Sequence, residues 1–257
     1  ASCLVGSEMC IRDRMITEKT ITDFSKYKTF DPACGTGIFL SAAAHLLFKS
    51  GVKKYDILKS LYGWDINNDC INIVKCILVF ELMLTKKAQM KYLLLDNIVQ
   101  QDSIIQPINE MSIIKESYIS LPKNINYILT NPPYQRLKPA KSTNKHKQQA
   151  FIYLNKVKKS GNYPLSTTRA IDLYRIFMER IYQILSDTSA KAGMIIPKSF
   201  SNDLSAKPLR EKLISDKLIQ EIIFIPEKIK LFDNVTQSFI IIAVSYTHLR
   251  AHETRGN

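Results

Sequence analysis

The sequence predicts an α/β fold in which seven strands form a doubly wound, mostly parallel sheet with helices on both faces. Two observations predict it. Short apolar runs alternate with stretches of helical periodicity between residues 30 and 244, and a glycine-containing turn directly follows the first apolar run. Such alternation is typical of parallel sheets, because parallel strands need a crossover connection that is usually a helix. Ligands bind these sheets beyond the carboxyl ends of the strands, so functional residues are expected there.

The first two strand–helix units lie at the start of this pattern. The apolar run FDPAC at residues 30–34 predicts a strand, and apolar side chains at helical spacing predict a helix over residues 38–49. A second strand ends at residues 61–65, and Asn67 or Asn68 is suited to cap the helix that follows it. Each strand therefore ends just before a turn that could face a ligand.

The remaining elements continue the alternation. Five further strands are predicted at residues 97–102, 125–130, 192–196, 219–225 and 238–244. Two further helices are predicted near residues 171–185 and 207–214, because apolar residues recur there at helical spacing. These strands complete the predicted sheet.

We expect a single domain at residues 15–245, since 257 residues are enough for one substantial hydrophobic core. Residues 1–14 and 246–257 carry neither helical nor strand periodicity and resemble translated sequencing adapter, so we interpret them as artefactual flanks. No apolar run approaches the roughly 20 residues of a membrane-spanning helix. The sequence therefore predicts a soluble cytoplasmic protein with no membrane partner.

The net charge indicates the kind of partner, and the spacing of the cysteines bears on disulfides and metal sites. The formal net charge of +13 favours a polyanionic partner or an anionic surface. The 5 cysteines include no CxxC pair, which predicts neither a disulfide framework nor a metal site.

Unusual residues follow three consecutive predicted strands. Gly35 and Gly37 let the backbone approach a ligand closely, although the third glycine of the dinucleotide fingerprint is missing. Asp65 is suited to accept both hydroxyls of a ribose, or alternatively to cap the next helix. Asp102 repeats the arrangement and could hold an adenine amine. Three acids, Asp31, Asp65 and Asp102, thus occur at the ends of three consecutive predicted strands, which is less expected by chance than any one of them.

The tetrapeptide NPPY directly follows the predicted strand INYILT. Pro132 and Pro133 fix an extended backbone and remove two amide donors, which leaves carbonyl acceptors. The side-chain carbonyl of Asn131 and the backbone carbonyl of Pro132 could hold both hydrogens of an exocyclic amine, and Tyr134 offers a flat face for stacking. A simple proline turn that ends a strand is the alternative.

With these motifs in series, the sequence resembles the adenine-specific DNA methyltransferases of restriction-modification systems, in the subgroup whose cofactor loop precedes the NPPY loop. The resemblance runs from about residue 30 to residue 244 and includes DPACGTGIFL, GWDIN, NIVQQDSI and NPPY. The later stretches AIDLYRIFMERIYQIL, GMIIPKSF and LREKLI, then KLFDNVTQSFIII, follow in the family's order. The resemblance implies a Rossmann-like fold that uses S-adenosylmethionine.

The resemblance also implies roles for individual residues. The implied cofactor-binding residues are Asp31, Pro32, Ala33, Gly35, Gly37, Asp65, Ile66, Asp102 and Asn131. The implied catalytic residues are Asn131, Pro132, Pro133, Tyr134 and Phe232, where Phe232 would be a second aromatic wall around the flipped base or, alternatively, an ordinary core phenylalanine.

The implied activity is direct in-line transfer of a methyl group from S-adenosylmethionine to the N6 amine of adenine in DNA, after base flipping. A basic loop, Arg136 to Lys159, is expected to contact DNA phosphates; a solvated charged face is the alternative. A nuclease or a DNA-recognition domain is expected to be missing from this fragment. The alternative functions are methylation of ribosomal RNA or of a protein glutamine, and a catalytically silent DNA-binding fragment.

Overall fold

A computed structural model describes residues 27–85, 97–105, 121–137, 145–186, 188–225 and 238–246. Its strands are β1 (Thr29–Asp31), β2 (Leu61–Asp65), β3 (Ile98–Gln100), β4 (Tyr127–Thr130), β5 (Arg136–Leu137), β6 (Ile171–Asp172), β7 (Lys191–Pro197), β8 (Ile219–Phe224) and β9 (Phe239–Ser245). Its α-helices are α1 (Ile38–Lys49), α2 (Lys54–Ser60), α3 (Asn68–Glu81), α4 (Lys145–Ser160), α5 (Leu173–Ser186) and α6 (Lys207–Ser215). Phe232, residues 1–14 and residues 247–257 lie outside the described residues.

The main sheet has seven strands in the order β3-β2-β1-β4-β7-β9-β8. Strands β3, β2, β1, β4 and β7 are parallel, whereas β9 runs antiparallel to both β7 and β8. The prediction of a mostly parallel seven-stranded sheet is therefore confirmed. Strand order reverses between β1 and β4, and in sheets of this kind the crevice at such a reversal is where ligands bind.

Several apolar clusters cover the sheet, and two of them show how the helices are held against it. In one, Leu40 of α1 and Val74 of α3 pack against β2 and β3. In the other, Met178 of α5 and Leu213 of α6 pack against the central strands. Helix–strand packing of this kind fixes the positions of the strand ends. No helix in the described ranges is long and apolar enough to cross a membrane.

The segment after NPPY corrects a prediction. The sequence predicts a loop from Arg136 to Lys159, but residues 145–160 form α4. Leu154 and Val157 lie three residues apart on one face of α4 and are both buried, so the lysines flank an amphipathic helix rather than a loop. Helix α2 has no counterpart among the predicted elements.

The start of the helix predicted near residue 171 also differs. Ile171 and Asp172 form β6, which pairs antiparallel with β5, and α5 begins only at Leu173. The short ladder joins the segment after NPPY to the start of α5.

Candidate functional site at the carboxyl ends of the strands

A cleft of about 430 Å³ opens where β1, β2, β3 and β4 end. Of the residues predicted from sequence, it is lined by Pro32, Ala33, Gly35, Asp65, Ile66, Asp102, Asn131 and Pro133. Its other lining residues, which the sequence patterns did not predict, are Asn67, Cys70, Gln101, Ser103, Tyr153, Leu173 and Phe177. Asp31, Gly37, Pro132 and Tyr134 are not among the lining residues. The carboxyl edge of the sheet therefore brings most of the predicted residues together.

The loop after β1 is shaped by its own carboxylate and glycines. Asp31 is buried, and its Oδ1 accepts a hydrogen bond of 3.0 Å from the amide of Ala33. Gly37 has a φ of 85°, and a Cβ there would lie 2.8 Å from a side-chain carbon of Val74. Gly37 is thus required for close packing of α1 on α3, while Gly35 is the glycine that faces the cleft.

Asp65 organises two loops at once. Its Oδ2 accepts from the amide of Gly35 at 2.9 Å, and its Oδ1 accepts from the amide of Asn67 at 2.8 Å. The cap of α3 is Asn67, whose side chain accepts from the amide of Asp69 at 2.9 Å. The alternative in which Asp65 caps the helix is therefore wrong, and its carboxylate remains at the edge of the cleft.

Asp102 receives three donors on one oxygen. Its Oδ1 accepts from the amides of Ile104 and Ile105 at 2.9 and 3.2 Å, and from the hydroxyl of Tyr153 at 3.1 Å. Within the described residues, no hydrogen bond reaches Oδ2. Asp102 is half-buried and lines the cleft, and Oδ2 is the oxygen of its carboxylate that can still accept a hydrogen bond.

The NPPY segment leaves the end of β4. Asn131 lines the cleft, and its Oδ1 accepts a hydrogen bond from the hydroxyl of Tyr134, which also lies 3.2 Å from the carbonyl oxygen of Ile195. The ring of Tyr134 packs against Phe239 and Tyr174, with ring centroids 5.4 and 6.5 Å away. In this structure the ring therefore packs against core aromatic residues rather than lining the cleft.

An ion-pair network follows NPPY. The Nε atom of Arg136 lies 2.6 Å from Oδ1 of Asp172, and an Nη2 atom of Arg175 lies 3.1 Å from Oδ2 of the same carboxylate. Asp172 and Arg175 are buried, and hydrogen bonding to Asp172 raises the pKa of Arg136. The amide of Leu173 donates to the carbonyl oxygen of Gln135 at 3.0 Å. The network fixes the catalytic-loop candidate to α5, and it occupies the guanidinium of Arg136, which was expected to contact phosphate.

Cys34 is buried between the cleft-lining residues Ala33 and Gly35 in the chain and is not suited to nucleophilic chemistry. Burial raises the pKa of its thiol, and the nearby carboxylates of Asp31 and Asp65 raise it further. The thiol therefore stays protonated at neutral pH, and a protonated thiol is a poor nucleophile.

Comparison with known proteins places this geometry among methyltransferases. A family model described as the Eco57I restriction-modification methylase matches residues 59–232. No curated protein matched the chain.

Solved structures share the fold at low sequence identity. A putative class I S-adenosylmethionine-dependent methyltransferase from Listeria monocytogenes has a TM-score of 0.58 at 13% identity, covering 97% of this chain and 62% of that one. A modification subunit of a putative type I restriction enzyme from Vibrio vulnificus has a TM-score of 0.56 at 18% identity, covering 95% and 43%. A nuclease-deletion mutant of the Type ISP restriction-modification enzyme LlaGI, solved with a DNA substrate mimic, has a TM-score of 0.58 at 15% identity, covering 95% and 22%. The chain thus spans less than two thirds of the length of each of these proteins.

Proposed function

The chain belongs to the Eco57I restriction-modification methylase family, and from this premise we propose that it transfers a methyl group to the N6 amine of adenine in DNA. S-adenosylmethionine is the cofactor of this family and fold. The observation that carries the proposal is the position of Asn131, which lines the same cleft as Asp65 and Asp102. An amide acceptor for the substrate amine and two acids for a nucleoside cofactor therefore face one space.

The cleft residues fit the adenosyl group of the cofactor. Asp65 supplies a carboxylate for ribose hydroxyls, and Oδ2 of Asp102 is an acceptor suited to the adenine amine. Ile66, which is 71% exposed, and the side chains of Leu173 and Phe177 provide apolar surface for a purine ring. Burying Ile66 under a ring would remove one of the larger apolar surfaces left open in the described part of the chain.

The proposed chemistry needs no covalent intermediate. The cofactor would supply a sulfonium methyl group for direct transfer: the bond from sulfur to the methyl carbon breaks as the bond from nitrogen forms, S-adenosylhomocysteine is released, and the methylated amine loses one proton to water. The carbonyl of Pro132 and Oδ1 of Asn131 accept the hydrogens of the amine, which makes the nitrogen lone pair more available and stabilises positive charge as it develops. A base in a duplex cannot reach this cleft, so the adenine is flipped, at a cost of a few kcal/mol. Stacking on Tyr134 after its ring leaves its inward position would offset that cost.

The test is transfer of labelled methyl groups from S-adenosylmethionine to DNA from a methylation-deficient host, followed by nucleoside analysis. We expect the label in N6-methyladenine. Label in N4-methylcytosine, or in ribosomal RNA or a protein glutamine offered in parallel, would overturn the adenine assignment. DNA binding with no transfer to any acceptor would favour the catalytically silent DNA-binding fragment.

Asp65→Asn is expected to weaken binding of S-adenosylhomocysteine about 10- to 100-fold, because hydrogen bonds to a charged group contribute about 1.5–3 kcal/mol. The amide keeps only one acceptor oxygen, while Gly35, Asn67 and the ribose all donate to the carboxylate. Isothermal titration calorimetry measures the change. Asp69→Asn removes the same charge from an exposed position of α3 and serves as the control. Equal affinities for the two variants would contradict a ribose-binding role of Asp65.

The exposed lysines at the end of α4 are proposed as phosphate contacts. Lys156, Lys158 and Lys159 are exposed and follow the NPPY segment in the chain. Changing all three to glutamine is expected to weaken DNA binding and to lower the slope of log K against log salt by about 0.9 for each phosphate that is no longer neutralised.

Salt titrations of DNA binding by fluorescence anisotropy measure this slope. The matched control changes Lys49, Lys53 and Lys59 to glutamine, since these exposed lysines lie near the amino ends of the strands, away from the cleft. If the slope fell equally in both triple variants, binding would reflect the net charge of the chain and not a contact by α4.

A further inference from the structure

Tyr153 connects the basic helix α4 to the candidate cofactor cleft. It lines the cleft, and its hydroxyl donates to Oδ1 of Asp102 at 3.1 Å. No role for it follows from the sequence, in which lysines dominate the surrounding segment. The proposed function uses Asp102 but does not explain why a tyrosine from a distant helix meets this carboxylate.

The contacts of Asp102 are unequal between its two oxygens. Oδ1 receives the amides of Ile104 and Ile105 and the Tyr153 hydroxyl, whereas no described residue donates to Oδ2. Amides at i+2 and i+3 alone form a local turn that holds the carboxylate from one side. The Tyr153 hydroxyl is the contact from outside the loop, and it reduces rotation of the carboxyl group about its bond to Cβ.

Packing of α4 against the loop after β3 fixes the position of Tyr153. Leu154 and Val157 of the same helix are buried in a cluster with Ile104, whose amide donates to Asp102. The hydroxyl of Tyr163 donates to the carbonyl oxygen of Ile104 at 2.6 Å. Helix α4 and the loop after β3 therefore pack as one unit, in which the hydroxyl of Tyr153 has a fixed place.

The Tyr153 hydroxyl also keeps the proton that it donates to Asp102. Burial raises its pKa, and the neighbouring Asp102 carboxylate raises it further. It remains protonated over the whole neutral range, where the carboxylate needs a donor and not a second anion.

We propose that Tyr153 is a positioning residue for the cofactor: its hydroxyl holds Oδ1 of Asp102 so that Oδ2 faces the cleft and receives the exocyclic amine of the cofactor's adenine. This inference rests on the proposed function, because it takes Asp102 as the acid that meets the adenine. It assigns to α4 a second role beside the phosphate contacts, carried by its inward face.

The test is the binding of two ligands to Tyr153→Phe, measured by isothermal titration calorimetry. One ligand is S-adenosylhomocysteine, and the other is its analogue with hydrogen in place of the adenine 6-amino group. The variant is expected to bind S-adenosylhomocysteine about tenfold more weakly, which corresponds to about 1.4 kcal/mol. It is expected to bind the deaminated analogue as the unchanged protein does, because that ligand makes no hydrogen bond to Asp102.

Tyr163→Phe is the matched control. It removes a hydroxyl from the same buried cluster, but one that donates to a backbone carbonyl and not to Asp102. Its melting temperature should fall while the ratio of the two ligand affinities stays unchanged. If the role of Tyr153 were purely structural, Tyr153→Phe would bind both ligands more weakly by the same factor. The ratio of the two affinities would then stay unchanged, as in Tyr163→Phe, and this result would overturn the inference.

Failure of the inference and failure of the proposed function give different results. If the unchanged protein does not bind S-adenosylhomocysteine, the proposed function is contradicted and the inference falls with it. If the unchanged protein prefers S-adenosylhomocysteine to the deaminated analogue and Tyr153→Phe keeps the full preference, only the positioning role is contradicted.

Discussion

Asn131→Ala is expected to lower the rate of methyl transfer to DNA by a factor on the order of 10²–10³, the loss that follows removal of one preorganised acceptor or donor at a reacting centre. The variant keeps Pro132 as an acceptor but loses the side-chain oxygen that would bind the second amine hydrogen. Single-turnover transfer of labelled methyl groups measures the rate of the chemical step. A rate within tenfold of the unchanged protein would remove Asn131 from the reaction.

Further measurements separate the possible causes of a lower rate. Affinity for S-adenosylhomocysteine shows whether the loss lies in chemistry or in cofactor binding, since Asn131 also lines the cofactor cleft. Tyr134→Phe keeps an aromatic ring and removes the hydroxyl that contacts Asn131, so its transfer rate should stay within about tenfold. Tyr134→Ala removes the stacking surface, which is worth about 1–3 kcal/mol per base in single-strand binding, and should lose more.

Asp172→Ala is expected to lower the free energy of unfolding by about 3–5 kcal/mol, because it leaves a buried guanidinium without its counter-ion. The side chain of Arg175 has 0% exposure and that of Asp172 has 6%, so water does not replace the missing partner. Urea unfolding followed by circular dichroism measures the loss. The same variant removes the ion pair that holds Arg136 and leaves only backbone hydrogen bonds between the segment after NPPY and the start of α5, so its transfer activity should fall at temperatures where it is still folded.

Glu211→Ala is the control for this prediction. It breaks the ion pair between Lys207 and Glu211, whose atoms are 3.6 Å apart and whose side chains are 57% and 64% exposed. Exposed pairs of this kind contribute about 0–1 kcal/mol. If Asp172→Ala cost no more than Glu211→Ala, the buried network would not be a main support of the segment after NPPY.

The sheet and the first part of the site follow from local sequence patterns. Each strand that ends at the cleft is a short apolar run, and a polar residue at its end or directly after it lines the cleft, as Asp65 and Asn131 do. Periodicity identifies the strand, and the fold rule that ligands bind at carboxyl ends identifies the residue. Predictions for these positions therefore needed no knowledge of which strands are neighbours.

Three of the lining residues that the sequence patterns did not predict depend on tertiary structure. Tyr153, Leu173 and Phe177 come from α4 and α5, which reach the cleft only because of how those helices pack on the sheet. The helical spacing of the buried residues Leu154 and Val157 indicates a helix at α4, but the many lysines around them made the segment resemble a basic loop. The pairing of Asp172 with Arg136 had no comparable signal, because their contact joins positions separated by 36 residues in the chain.

The hydroxyl of Tyr134 lies between two acceptors, Oδ1 of Asn131 and the carbonyl oxygen of Ile195 at 3.2 Å. In the proposed reaction the ring of Tyr134 leaves this position to stack on the base, so its hydroxyl releases Asn131 and the incoming amine replaces it as a donor to Oδ1. Docking of the amine thus exchanges one hydrogen bond to Asn131 for another and adds little affinity for the unreacted substrate. The attraction between Oδ1 of Asn131 and the amine would instead act as positive charge develops on the nitrogen during transfer. Once methylated, the amine has only one hydrogen left, and the returning hydroxyl competes for Asn131. The hydrogen bond between Tyr134 and Asn131 competes with the incoming amine, and it would in this way also help the methylated base to leave. This favours rapid turnover over tight binding of the product.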